Sequence, residues 1–233
     1  SREPAENEPI RKLAENLRWV RAPIPGVALN RTMTVVRLDD GRLVIWSAIA
    51  LSEPSMRELE AWGTPAFLIV PSALHRLDAV AYKARYPGLT VLAPSGARKA
   101  VEALMPLDGL LQDFPSDERV SCAALAGIQD KEGAMLVRSN DGTSVVLNDA
   151  LFNMPMPKPM VVSLLVKAMG SAPGPRVSRV VKLLWCDDRA AFRGSLAALA
   201  QMPDLTRVIV AHDSIAEGAA AREALLAAVE QLA

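Results

Sequence analysis

Residues 144–152, Ser144-Val145-Val146-Leu147-Asn148-Asp149-Ala150-Leu151-Phe152, carry the reading that decides the fold. A mostly apolar run of strand length ends in Asn148-Asp149, so a carboxylate is delivered at the C-terminal end of a strand. Immediately upstream, Asn140-Asp141-Gly142-Thr143 has the composition of a tight hairpin turn and joins this strand to one expected over 134–138. A further strand is expected over 120–125.

Towards the N-terminus the pattern alternates. Strands over 32–38 (TMTVVRL) and 43–49 (LVIWSAI) flank Asp39-Asp40-Gly41-Arg42 and predict an antiparallel pair. Ser52 is placed to cap a helix whose apolar Met56, Leu59 and Trp62 recur at three-residue spacing, with Gly63 ending it. Residues 66–70 (AFLIV) form a continuous apolar run, as expected of a strand covered on both faces. A helix over about 77–85 closes at Tyr86-Pro87-Gly88, followed by a strand over 90–93 and a helix over 97–105. Such alternation predicts sheet layers with helices packed outside them.

Towards the C-terminus, Met154, Met156 and Met160 interleave with Pro155, Pro157 and Pro159 in a loop that reads equally as a lid, a subunit contact or plain packing. The apolar stretch 160–169 carries Lys167 and is far shorter than the ~20 residues that span a bilayer. It reads as a buried helix. Further helices are expected near 177–185 and 190–202, then a strand over 205–211 (LTRVIVA) that runs into His212-Asp213, and a terminal helix over 217–232. A two-sheet sandwich flanked by helices accommodates this order.

Composition narrows the function classes. The 233 residues, 51% of them hydrophobic, can fill the core of one domain spanning 1–233, with the charged segment 1–16 as a flexible lead-in. That segment lacks the apolar centre of a secretory signal, so no export is expected and the location reads as cytoplasmic. Twenty-six basic residues balance twenty-six acidic ones, so no net field favours nucleic acid or an anionic membrane. An oligomer stays open. Cys122 and Cys186 fit neither a disulfide framework nor a metal knuckle and read as buried small residues.

The rare ionisable residues fall in telling places. His75, Asp149 and His212, which include both histidines of the chain, each follow an apolar strand. Ligands gather at strand carboxyl ends in open α/β sheets, and imidazole with carboxylate is the donor set of catalytic zinc or iron. Spacing alone favours the plainer reading of a helix-capping His, a turn Asp and a loop His. Asp78 and Asp213 are candidates to orient the imidazoles, or else are a solvated helix-face acid and a loop acid. Other chemistries are weaker. No G-x-S-x-G elbow or glycine-rich phosphate loop occurs, and Gly170-Ser171-Ala172-Pro173-Gly174 is a proline-containing loop. Cys186 sits in Trp185-Cys186-Asp187-Asp188, where the acids raise a thiol's pKa.

The order of these features resembles the metallo-β-lactamase superfamily over nearly the whole chain. Its H-x-H-x-D-H segment after a strand is matched by Pro71-Ser72-Ala73-Leu74-His75-Arg76, with His75 in the aspartate's place. Its Gly-His pair is matched by Gly127-Ile128, without the histidine. Its Gly-Asp-Ala-Leu-Phe is matched by Asn148-Asp149-Ala150-Leu151-Phe152, and its last Gly-His by Ala211-His212. The eroded first segment is similar to that of an uncharacterised branch of the superfamily. The resemblance implies an α/β (α+β), four-layer αββα sandwich of two mixed sheets. It also implies that Asp149 takes the catalytic, metal-bridging place and that His75, Asp149 and His212 form a metal set.

A dinuclear centre holds two cations ~3.5 to 4 Å apart and needs more donors than survive here. What remains is one Zn, Fe or Mn ion, or none. Two readings follow: a mononuclear metal-dependent hydrolase of an ester, thioester or phosphoester of unknown identity, or a degenerate, non-catalytic module that binds a small molecule or a protein. Pairing of Arg76 with Asp149 would favour the second.

Overall fold

The computed structural model describes residues 7–158, 160–212 and 214–233. One sheet runs in chain order through β1 (Arg11–Ala14), β2 (Leu17–Pro23), β3 (Asn30–Arg37), β4 (Arg42–Trp46), β5 (Thr64–Ile69), β6 (Thr90–Ala93) and β7 (Gly109–Leu110). Its pairs are antiparallel as far as β4 and parallel from β4 to β7. The second sheet comprises β8 (Val120–Ala124), β9 (Gly133–Ser139), β10 (Gly142–Val146), β11 (Leu205–Ile209) and β12 (Ile215–Glu217), in the order β12-β11-β10-β9-β8. Only β10 and β11 pair in parallel.

Side-chain alternation makes the layers. On β4, Val44 and Trp46 face the second sheet, where they meet Met135, Val137, Val146 and Ile209. Leu43 and Ile45 point the other way, into a core shared with Met56 and Leu59 of α1 (Glu53–Trp62), Tyr82 of α2 (Ala79–Arg85) and Val101 of α3 (Arg98–Glu102). On β10, Val145 faces outward into a core with Phe192 and Leu196 of α5 (Arg189–Ala200) and Leu225 of α6 (Ala219–Glu230). The result is the expected helix-sheet-sheet-helix order, with both expected hairpins formed.

Gly63 ends α1 as expected, and its role is close approach: a Cβ there would meet the Gly41 carbonyl oxygen at 2.5 Å.

Several elements differ from expectation. Within the segment 1–16, expected to be flexible, Arg11–Ala14 is an edge strand; residues 1–6 lie outside the described residues. Strand β2 went unread because Arg18 and Arg21 interrupt its apolar run. Its Leu17 and Trp19 nevertheless face the second sheet, while Val20 and Ala22 face the helices. The helix expected over 177–185 is only a wide helical turn at Val181–Trp185. The largest correction concerns α4 (Met160–Met169): Met160, Val161, Leu164 and Leu165 are 84, 76, 69 and 61% exposed, and of its residues only Val166 is buried. A helix apolar on every side gives no periodic signal of which face is covered. Val166 packs against Met154 and Ala172, which is too small a cluster to hide the rest. No helix among the described residues is long and apolar enough to cross a membrane.

Candidate metal centre

The two sheets meet where β3 begins. Thr32 donates its N–H to the Ala211 carbonyl and its hydroxyl to the Val210 carbonyl, so the chain leaving β11 is fastened to the first sheet. This brings His212, after β11, beside the loops that leave β5 and β10. His75, Asp149 and His212 thereby converge, with their ligand atoms within 4.8 Å of one another, in a set that could hold a metal ion.

Asp149 is the hub. Its Oδ1 lies 3.1 Å from Nε2 of His75 and 3.5 Å from Nε2 of His212. Two donors on one ion at 2.0–2.1 Å in tetrahedral array stand ~3.3 Å apart, so both separations suit a shared cation. Ser72 reaches the other carboxylate oxygen at 3.5 Å. Burial opposes ionisation of Asp149, but His75 and His212 outweigh it and hold the carboxyl well below the usual range.

Each imidazole is oriented through its other nitrogen. Nδ1 of His212 stands 2.7 Å from the Asn30 carbonyl oxygen, which can only accept, so Nδ1 carries the proton. In the neutral ring, Nε2 then presents a lone pair to a carboxylate oxygen. A cation or a proton between them removes that conflict, and a histidine that donates its remote N–H to a backbone carbonyl is the usual arrangement of a metal ligand. Nδ1 of His75 lies 3.2 Å from the Ser47 hydroxyl. The ring of His212 is stacked on Phe152, with the planes inclined by 4° and the centroids 5.5 Å apart.

Under Asp149 sits Glu132, completely buried, whose carboxylate accepts the backbone N–H groups of Asn148, Asp149 and Ala150 at 2.7, 2.7 and 2.9 Å. Burial, and then the charge of Asp149, push its carboxyl above the usual range against the pull of these three donors. Sequence reasoning missed it, because Asp130-Lys131-Glu132-Gly133 has the composition of a solvated turn. Ser47 was missed too; it follows β4 in a left-handed conformation, φ 59°, that no local composition signals.

The other candidates fall elsewhere. Asp78 orients no histidine: it is buried in an ion pair with Arg31 and accepts the Ala50 N–H at 2.8 Å. Asp213 lies outside the described residues. Arg76 turns away from Asp149 and donates to the Ala100 carbonyl at 2.8 Å. Ile128, where the family motif has a histidine, is a core residue beneath α5. Neither cysteine lines the site cavity; burial chiefly raises both thiols, with Asp187 and Asp188 adding to the effect at Cys186.

His75, Asp149 and His212 line a cavity of about 380 Å³ together with Arg31, three serines and a majority of apolar side chains such as Leu29, Phe152, Met154, Val166 and Trp185. That size and lining suit a small organic ligand.

No family model and no curated protein sequence matches the chain. Solved structures do. The DIM-1 metallo-β-lactamase is 12% identical with a TM-score of 0.69, over 99% of this chain and 100% of that one. The metallo-β-lactamase FIM-1 from Pseudomonas aeruginosa, in its mono-zinc form, is 10% identical with a TM-score of 0.64, over 98% and 96%. That of Erythrobacter litoralis is 15% identical with a TM-score of 0.62, over 95% and 96%. The chain has the metallo-β-lactamase fold.

Proposed function

We propose that the chain is a mononuclear metal-dependent hydrolase of an ester or thioester with an apolar acyl or alcohol part. The observation that carries this reading is the convergence of His75, Asp149 and His212 in the wall of a mainly apolar cavity. The three side chains would hold one Zn, Fe or Mn ion, leaving open positions for substrate. Such an ion supplies Lewis acidity towards a carbonyl oxygen and lowers the pKa of water. Asp149, kept ionised by His75 and His212 and planted on Glu132, would hold the ion beside the scissile carbonyl, while the walls bind the apolar part and exclude bulk water. The degenerate reading loses one support, since Arg76 does not fill the site.

Metal analysis of protein purified without chelator is the test. Near one ion per chain is expected, lost in Asp149→Ala and His212→Ala, together with chelator-sensitive hydrolysis of nitrophenyl esters. Less than about 0.1 ion per chain, with no gain on adding zinc, iron or manganese, sinks it.

Ser47 favours a second reading. Its hydroxyl, the His75 ring and the Asp149 carboxylate stand in line at 3.2 and 3.1 Å, with the serine on a left-handed turn after a strand. That is the order of a serine hydrolase relay, with the roles of the two imidazole nitrogens exchanged. Covalent labelling of Ser47 by a fluorophosphonate that survives complete chelation decides for it.

A further inference from the structure

The exposed apolar side chains of α4 do not stand alone. Leu183 and Leu184, on the turn Val181–Trp185, are also exposed. The two elements are neighbours: Val166 and Met169 of α4 and Val181 and Trp185 of the turn wall the same cavity. Leu74, Leu77 and Met169 are both exposed and part of its lining, so the cavity opens through an apolar collar. Beside it lies a second depression of about 320 Å³, lined by Lys167 of α4, Lys182 of the turn, and Arg176 and Arg179. No acidic side chain lines it, and none of the four cations makes an ion pair among the described residues. A chain with no net charge thus gathers four cations along the edge of its apolar face.

We propose that this face, α4 with the turn 181–185, docks on an anionic phospholipid bilayer, its leucines and Met160 entering the acyl boundary while Lys167, Arg176, Arg179 and Lys182 meet lipid phosphates. An exposed apolar element bordered by cations lies in the interface plane and draws on apolar area and on attraction to anionic lipid together. Long cationic side chains keep their charge in the headgroup layer while their stems rest on apolar ground. A second copy of the chain fits worse: the depression that holds the cations is lined by no acidic side chain, so a copy of this surface offers them no counter-charge. The docking holds whether or not the site binds an ion.

The test is cosedimentation of the full chain with vesicles of phosphatidylcholine alone and of phosphatidylcholine with roughly one third phosphatidylserine. Binding is expected to the anionic vesicles and to weaken with rising salt. It should fall tenfold or more, by order of magnitude, in Leu164→Glu with Leu165→Glu and in Lys167→Glu with Lys182→Glu. Leu164 and Leu165 are exposed, so the first pair should keep the unfolding midpoint and the metal content, which separates lost docking from lost folding. Absence of binding, equal binding to both vesicles, or a dimer in sedimentation that the leucine variant dissolves overturns the proposal.

Discussion

The loops that leave β5 and β10 both supply the site, and they are held in opposite ways. After β10, three successive backbone N–H groups end on the Glu132 carboxylate, so the position of Asp149 is set by its own main chain. After β5, the turn closes weakly on Ser72, through Leu74 N–H at 3.3 Å to its hydroxyl and His75 N–H at 3.2 Å to its carbonyl. His75 is then oriented by side chains from elsewhere, Ser47 and Asp149. Where this second loop joins α2, the buried pair Asp78–Arg31 ties it to β3. A loop anchored beyond its own sequence tolerates change within it. This is a physical reason why residues 71–76 can differ from the metallo-β-lactamase histidine motif while the fold is kept.

Breaking the distant anchor should therefore have the largest effect on stability. Asp78→Ala leaves Arg31 charged and buried and the Ala50 N–H without its acceptor, at a cost of about 3–5 kcal/mol. Denaturant unfolding measures it; a loss near zero would mean that the loop after β5 holds itself. Glu132→Gln comes next, at about 2–3 kcal/mol, because both carboxyl oxygens can accept an N–H whether or not a proton is held, whereas an amide NH₂ cannot and faces a donor. Its pH dependence sharpens the contrast. A carboxyl raised by folding retains protons that the unfolded chain loses, so its stabilisation is complete below about pH 4.3 and declines as pH climbs towards the folded value. The cost of Glu132→Gln should thus be largest near pH 4 and shrink towards neutrality. A cost that grows with pH would identify a carboxylate kept ionised by its three donors.

These anchors also mark where the sequence stops being readable. Turn chemistry is local, so Asp40-Gly41 and Asp141-Gly142 announced both hairpins, and continuous apolar runs announced β5, β6 and β11. The two sheets flanked by helices followed from the order of these elements, whereas the grouping of His75, Asp149 and His212 followed from the resemblance in motif order. The supports were not legible. Glu132 lies among charged neighbours and is buried only because the β8–β9 connection folds under β10, and Asp78 has the spacing of a solvated helix-face acid but meets Arg31 from 47 residues away. Helix α4 shows the limit of hydropathy: residues 160–169 say that the helix is apolar but not what covers it. The zero net charge, read as indifference to anionic membranes, hides the four cations that line the depression next to it.

Ser47→Ala probes the weaker loop directly. Losing a hydroxyl that orients a ligand imidazole should lower metal affinity by roughly tenfold, with about 1 kcal/mol lost from stability. Complete loss of hydrolysis with metal content unchanged would instead make Ser47 the nucleophile.

The smallest effect is expected at Phe152, the last residue of the better-kept loop. Its ring lies parallel to that of His212, so it restrains an imidazole whose Nδ1 is already tied to the Asn30 carbonyl. With the hydrogen bond intact, Phe152→Leu removes only the stacking, about 0.5–1.5 kcal/mol, and metal affinity should drop by less than roughly tenfold. Calorimetric titration of zinc into the chelated protein measures this. A larger drop would mean that the ring stack, and not the Asn30 carbonyl, holds His212 in line with Asp149. His212 would then be hung on a side chain, as His75 is, and only Asp149 among the three donors would be fixed by main-chain bonds.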